Sequence, residues 1–229
     1  MNSRTEILIG EEGVRTLQNK KVTLVGVGGV GGYTAVMLVR AGLGNLTIID
    51  FDKVDKSNIN RQVVANSNTI GRSKVDVLAE MLLEINPDLQ LNVIAQRVNE
   101  GNIPQLIEMC DMCIDAIDSV RDKVALIVHC KRNNIPIISA MGAGNRVDIP
   151  RFYLTDIYKT HDDGLAKVIR KRLREEGVES LEVVTAETKP LDTKSDKVGS
   201  ISYYPAMCGI TIAAVVINKF IGGRNETNK

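Results

Sequence analysis

The sequence predicts an α/β fold, a doubly wound, mostly parallel, Rossmann-like sheet with a C-terminal elaboration. Two patterns carry this prediction. Residues 21–50 read as strand, glycine-rich turn "GVGGVGG", helix and strand, the order of a β-α-β unit. Strands then alternate with helices as far as residue 140, joined by short turns. That alternation suits a parallel sheet covered on both faces.

In order, the apolar run over 21–26 is the first strand, 31–43 a helix stopping at Gly44, and "LTIID" (46–50) the second strand. After the polar stretch "FDKVDKSNINRQVVANSNTI", a helix over 72–85 stops before Asn86-Pro87, because the residue before a proline disfavours helical backbone. "LQLNVIAQ" is the third strand, followed by a helix over 102–109, a strand over 112–117, a helix over 120–133 and the strand "PIISA". The pattern changes at "GAGNRVDIPR". Beyond it the sequence predicts a strand near 147–154, a charged helix over 165–176, the strand "LEVVTA", a polar loop over 187–200 and an apolar helix over 205–221. The loop has few apolar side chains to offset the entropy of ordering it.

Composition narrows the function classes. The chain has 229 residues, 44% of them hydrophobic, which is ample for a core. Its net charge of +1 advertises neither nucleic acid nor membrane, so any basic surface is local. "AMCGITIAAVVI" is shorter than the roughly 20 residues a membrane span needs and reads as a buried helix. The N-terminal segment lacks a charged-then-apolar signal pattern, and the four cysteines are scattered. A cytoplasmic protein without a membrane segment is the expectation. Cys110 and Cys113 form one C-x-x-C pair without a second, two of the four ligands that structural zinc wants. Cys208, in the apolar helix, reads as core.

Gly26, Gly28 and Gly31 fit G-x-G-x-x-G between a strand and a helix, where backbone N–H groups can face a phosphate. Asp50 ends the next strand, placed to accept from ribose hydroxyls. Asn58, Arg61 and Lys74 follow. A nicotinamide site has no triphosphate and no need for those further cations, whereas a site handling ATP does.

"GVGGVGG", "IIDFDKVDKSNINRQ", "GRSKVDVLAEMLLEINP" and "DAIDS" resemble, in order and spacing, the adenylating enzymes related to ubiquitin activation. The resemblance covers about residues 4–145 and implies ATP and Mg²⁺. It implies that Asp50 binds ribose, that Asn58, Arg61 and Lys74 bind phosphates, and that Asp118 serves Mg²⁺ and the reaction centre. Asp52 is a further candidate near the nucleotide, and Arg4 matches, more weakly, an arginine that reaches a partner subunit's ATP. The second half, with "DGLAKVIRKRLREEGV" and "GSISYYPAMCGITIAAVVI", is similar to the bacterial dehydratases that cyclise threonylcarbamoyladenosine in tRNA. This implies a homodimer acting on modified tRNA through an acyl-adenylate. Residues 1–145 are then an ATP-binding adenylation domain, and 146–229 a substrate-binding and dimerisation elaboration of it. Lys167, Arg170, Lys171, Arg172 and Arg174 form the local basic surface, with Arg170, Lys171 and Arg174 as tRNA candidates. The alternatives are adenylation of a ubiquitin-like sulfur carrier's C-terminus, an NAD-linked oxidoreductase, and a nucleotide-sensing scaffold.

Overall fold

A computed structural model describes residues 3–223; the last residues of the expected C-terminal elaboration, 224–229, lie outside them. The chain order is α1 (Ser3–Asn19), β1 (Lys21–Val25), α2 (Gly31–Ala41), β2 (Asn45–Ile49), α3 (Lys74–Ile85), β3 (Gln90–Ile94), α4 (Ile103–Leu106) and β4 (Met112–Asp115). It continues with α5 (Val120–Arg132), β5 (Ile137–Ala140), β6 (Phe152–Asp156), α6 (Gly164–Glu175), β7 (Glu182–Ala186) and α7 (Tyr203–Phe220).

One seven-stranded sheet runs in the order β3-β2-β1-β4-β5-β7-β6. Neighbouring strands are parallel, except that β6 runs antiparallel to β7. The winding reverses between β1 and β4, and a doubly wound sheet opens its ligand crevice at the C-terminal strand ends beside such a reversal. One face is covered by α2, α3 and α7, whose Leu38, Val39, Leu78, Ile212 and Val216 are buried together. The other face is covered by α5 and α6 through Leu126, Ile127, Ile169 and Leu173. Each such side chain stabilises the fold by about 1.5–3 kcal/mol.

Several boundaries differ from those the sequence predicts. Helix α2 stops at Gly42, whose left-handed backbone (φ 107°) caps it, and not at Gly44. Gly44 serves close packing instead, since a Cβ there would overlap the Gln18 carbonyl. Helix α4 is only four residues long. Strand β4 ends at Asp115 because the Asp115 carboxylate accepts from Ile117 N (3.1 Å) and turns the chain. The strand expected near 147–154 lies at Phe152–Asp156, after a loop that Arg146 ties down. Helix α1 is broken at Gly10 (φ 72°), and its first half leaves Ile7 and Leu8 74% and 85% exposed. Helix α7 is long and apolar enough to cross a membrane, yet Cys208, Ile212 and Val216 pack it into the core. It lies so close on α2 that Thr34 Oγ1 donates to the Gly209 carbonyl (3.1 Å).

Candidate functional site

A cavity of about 550 Å³ opens at the sheet reversal, where the ends of β1, β2, β4 and β5 meet. Gly26, Gly28, Asp50, Asp52, Arg61, Lys74 and Asp118 line it. At Gly26 (φ 94°) an added Cβ would stand 2.6 Å from the Ala116 carbonyl oxygen, so the turn after β1 closes tightly on the one after β4. Gly31 lies behind this turn, where a Cβ would overlap the Gly26 carbonyl. Its work is therefore close packing of α2 on the turn. Gly28 faces open space, with only Gln62 Nε2 near the position of a Cβ, at 3.9 Å.

The Asp50 carboxylate accepts from Val27 N (2.6 Å) and from Asp52 N (2.8 Å), which locks it beside the glycine turn. A carboxylate can accept about four hydrogen bonds, so it keeps capacity for a diol. Lys74 is buried, and its Nζ lies 2.7 Å from the half-exposed Asp52 Oδ2. Arg61 is anchored through Nη1 to the Ser57 carbonyl (2.9 Å) and Asn60 Oδ1 (2.8 Å). Asp118 is exposed on the cavity wall and makes no side-chain hydrogen bond or ion pair among the described residues. Two cations, a free carboxylate and a glycine turn thus share one cavity.

Three of the residues singled out in the sequence lie elsewhere. Asn58 is buried beside the cavity and accepts from Asp55 N (3.0 Å), completing a reciprocal cap on a single helical turn. Gly31 is the second. Arg4 sits exposed at the start of α1 and does not line the cavity. The structure adds side chains the sequence did not suggest. Gln62 lines the cavity, 8% exposed, and its buried Oε1 has no partner; an uncharged amide beside Arg61 gave no signal. Arg146, 4% exposed, donates to the carbonyls of Gly142 (2.8 Å) and Thr188 (2.9 Å). Asp163 accepts from Gly142 N (2.8 Å). Together these two hold the 142–144 wall from behind.

Burial pushes the Cys208 thiol up to about 12, so it stays protonated inside the core. Cys208→Ala should cost about 1 kcal/mol of stability and leave turnover unchanged, as melting and rate measurements would report. A hydrogen bond to Cys130, together with burial, holds Cys113 well above the usual thiol range, and burial raises Cys110.

Helix α6 starts at the cavity edge, where Asp163 accepts from Ala166 N as its N-cap. Lys167, Lys171, Arg172 and Arg174 are exposed along it. Arg174, ten residues on, stands about 15 Å from the helix start, with its guanidinium over the Tyr158 ring. Arg170 corrects the expectation of a uniform basic face. It turns inward, half-buried, and donates to the Thr160 carbonyl (2.6 Å) and Thr160 Oγ1.

A glycine turn at a sheet reversal, an acidic strand end and two cations in one cavity define a nucleotide-handling α/β domain. Within that class the chain belongs to the ThiF family, whose model matches residues 2–229. It is 39% identical over 196 residues to the tRNA threonylcarbamoyladenosine dehydratase of Bacillus subtilis, spanning 85% of this chain and 77% of that one. With the Escherichia coli enzyme of the same name it shares 40% identity over 171 residues, 74% of this chain and 64% of that one. The crystal structure of E. coli tRNA N6-threonylcarbamoyladenosine dehydratase in complex with ATP superposes with a TM-score of 0.90 at 32% identity, covering 96% of this chain and 93% of that one.

Proposed function

We propose that this protein uses ATP to cyclise threonylcarbamoyladenosine in tRNA, removing one water through an acyl-adenylate. The observation that carries the reading is that the likeness to dehydratases of this name runs through both halves of the chain, the basic α6 and the apolar α7 included. In this reading residues 1–145 carry out adenylation, and residues 146–229 elaborate the same domain for substrate and dimer contacts.

The residues fit ATP. The open side of Gly28 leaves room for a phosphate at the N-terminus of α2. Asp50 accepts from the ribose, Arg61 and Lys74 neutralise the phosphates, and the Gln62 amide faces the same space. Asp52 holds Lys74 extended until phosphate arrives. Asp118 is the carboxylate available to Mg²⁺, which when bound draws charge from the phosphate oxygens. A threonyl carboxylate oxygen attacks the α-phosphorus, and the bond to pyrophosphate breaks. The carbamoyl group then adds to the activated carbonyl, loses its proton, and AMP departs with the carboxylate oxygen. Substrate labelled with heavy oxygen in that carboxylate should therefore transfer one label to AMP. Unlabelled AMP would contradict the adenylate.

The exposed cations of α6 are the tRNA contacts in this reading. Charge reversal at Lys167 and Lys171 should weaken tRNA binding, leave ATP affinity unchanged and flatten the salt dependence by about 0.7 per lost contact to single-stranded RNA. Filter binding across a salt series reads both quantities. An unchanged slope would remove α6 from the interface.

A homodimer completes the proposal. Exposed Ile7 and Leu8 on α1, and Tyr203 and Met207 on α7, are apolar surfaces that a second copy would cover. With Arg4 serving the partner's ATP, Arg4→Ala and Arg61→Ala chains, each impaired alone, should regain activity when mixed into heterodimers. A fully active monomer would contradict this. The free cysteines accord with a cytoplasmic setting.

A further inference from the structure

Beneath Asp118 lies an ion pair that the proposed chemistry does not use. Asp115 at the end of β4 and Lys123 in the first turn of α5 are both 0% exposed, with Nζ 2.8 Å from Oδ2. Burying two charges costs several kcal/mol per ion before their attraction repays it, and an apolar pair of similar volume is often at least as stable. Stability alone is therefore a poor account of this pair.

Its hydrogen bonds point to one short segment. Lys123 Nζ also donates to the Ile117 carbonyl (2.9 Å), and Ile117 N donates to Asp115 Oδ1 (3.1 Å). Both backbone groups of the residue before Asp118 are thus held by the two charges. Ser139 Oγ donates to Asp115 Oδ2 (2.5 Å) and ties the pair to β5. On the other side of the turn, Ala116 packs against the Gly26 backbone and its N–H donates to the Val25 carbonyl (2.8 Å). The residue of α5 just before Lys123, Asp122, is held by Arg97 Nη2 at 2.7 Å, so the helix start is anchored as well. Among the described residues Asp118 itself has no such tether, and its place in the cavity is set through its backbone.

We propose that Asp115 and Lys123 are positioning residues, a buried charge pair that fixes the 116–118 turn and so aims the Asp118 carboxylate at the nucleotide phosphates. The inference rests on the proposed function for what Asp118 does, and on geometry alone for the tether. Misplacing a reacting group by about 1 Å can cost on the order of 10²-fold in rate, which is enough to favour a costly pair over an apolar one.

The test compares Lys123→Met with the double variant Asp115→Asn/Lys123→Met. The single variant leaves a buried carboxylate without its cation and should melt well below the native protein. The double variant removes both charges and keeps an acceptor for Ile117 N, so its melting temperature should recover. Its kcat with ATP and modified tRNA should stay about 10²-fold down while KM for ATP barely moves. Amide hydrogen exchange at Ile117 and Asp118 should quicken in the double variant, with β1 and β4 still protected. Recovery of kcat together with melting temperature, or unchanged exchange at the turn, would overturn the proposal. A native chain without turnover would refute the proposed function instead, and the exchange result would still decide the tether.

Discussion

Lys74→Ala and Arg61→Ala should each lower kcat by roughly 10²–10³, or about 2.7–4 kcal/mol, the loss expected when a preorganised donor to developing charge is removed. Both side chains reach one cavity wall, Lys74 from the start of α3 and Arg61 from the turn after Asn58. The fold should survive either change. Asp52, the partner Lys74 leaves behind, is 46% exposed and can be rehydrated, unlike a buried carboxylate. Among the described residues Arg61 pairs only with a carbonyl and an amide near the surface. Single-turnover rates at saturating ATP, beside thermal melts, separate the chemical loss from unfolding. Near-native rates in both variants would remove these cations from the reaction.

The glycine turn should divide into two kinds of position. At Gly31 a Cβ overlaps the Gly26 carbonyl, which belongs to backbone that cannot move without opening the turn. Gly31→Ala should destabilise by about 1–3 kcal/mol or more through overpacking and lose nucleotide binding as a consequence. At Gly28 the same methyl meets only an amide nitrogen at 3.9 Å. Gly28→Ala should keep the native melting temperature and still lose much of its ATP affinity, because the methyl occupies the space a phosphate needs. Calorimetric titration and melting curves on the two variants give opposite signatures. Equal losses of stability would mean that the turn is only a packing device.

The contrast between Gly28 and Gly31 also shows what the sequence could reveal. The spacing of Gly26, Gly28 and Asp50 is tied to local geometry, a tight turn and the end of the next strand, and the structure brings all three to one cavity. Arg61, Lys74 and Asp118 join them because each lies just beyond or at the start of a regular element on the same sheet edge. Asn58 has the right residue type, and its amide oxygen is used in a cap with Asp55, a local backbone contact that composition does not reveal. Arg170 lies in a run of cations, and only its packing against Thr160 distinguishes it from Lys171. Lys123 was hidden for the opposite reason. Within "RDKVALIV" a lysine reads as a solvated helix residue, and its burial follows from the closing of α5 over Asp115, a contact made in three dimensions. The 142–144 wall depends likewise on Arg146 and Asp163, which the sequence places 17 residues apart by number and the fold joins through Gly142.

Incubation with ATP, Mg²⁺ and tRNA bearing threonylcarbamoyladenosine, followed by digestion and weighing of the nucleosides, tests the central claim most directly. The modified adenosine should become lighter by one water, with one AMP released for each nucleoside converted. An unchanged nucleoside mass, alongside robust adenylation of a diglycine-ended carrier protein, would contradict the account and assign the site to a sulfur carrier.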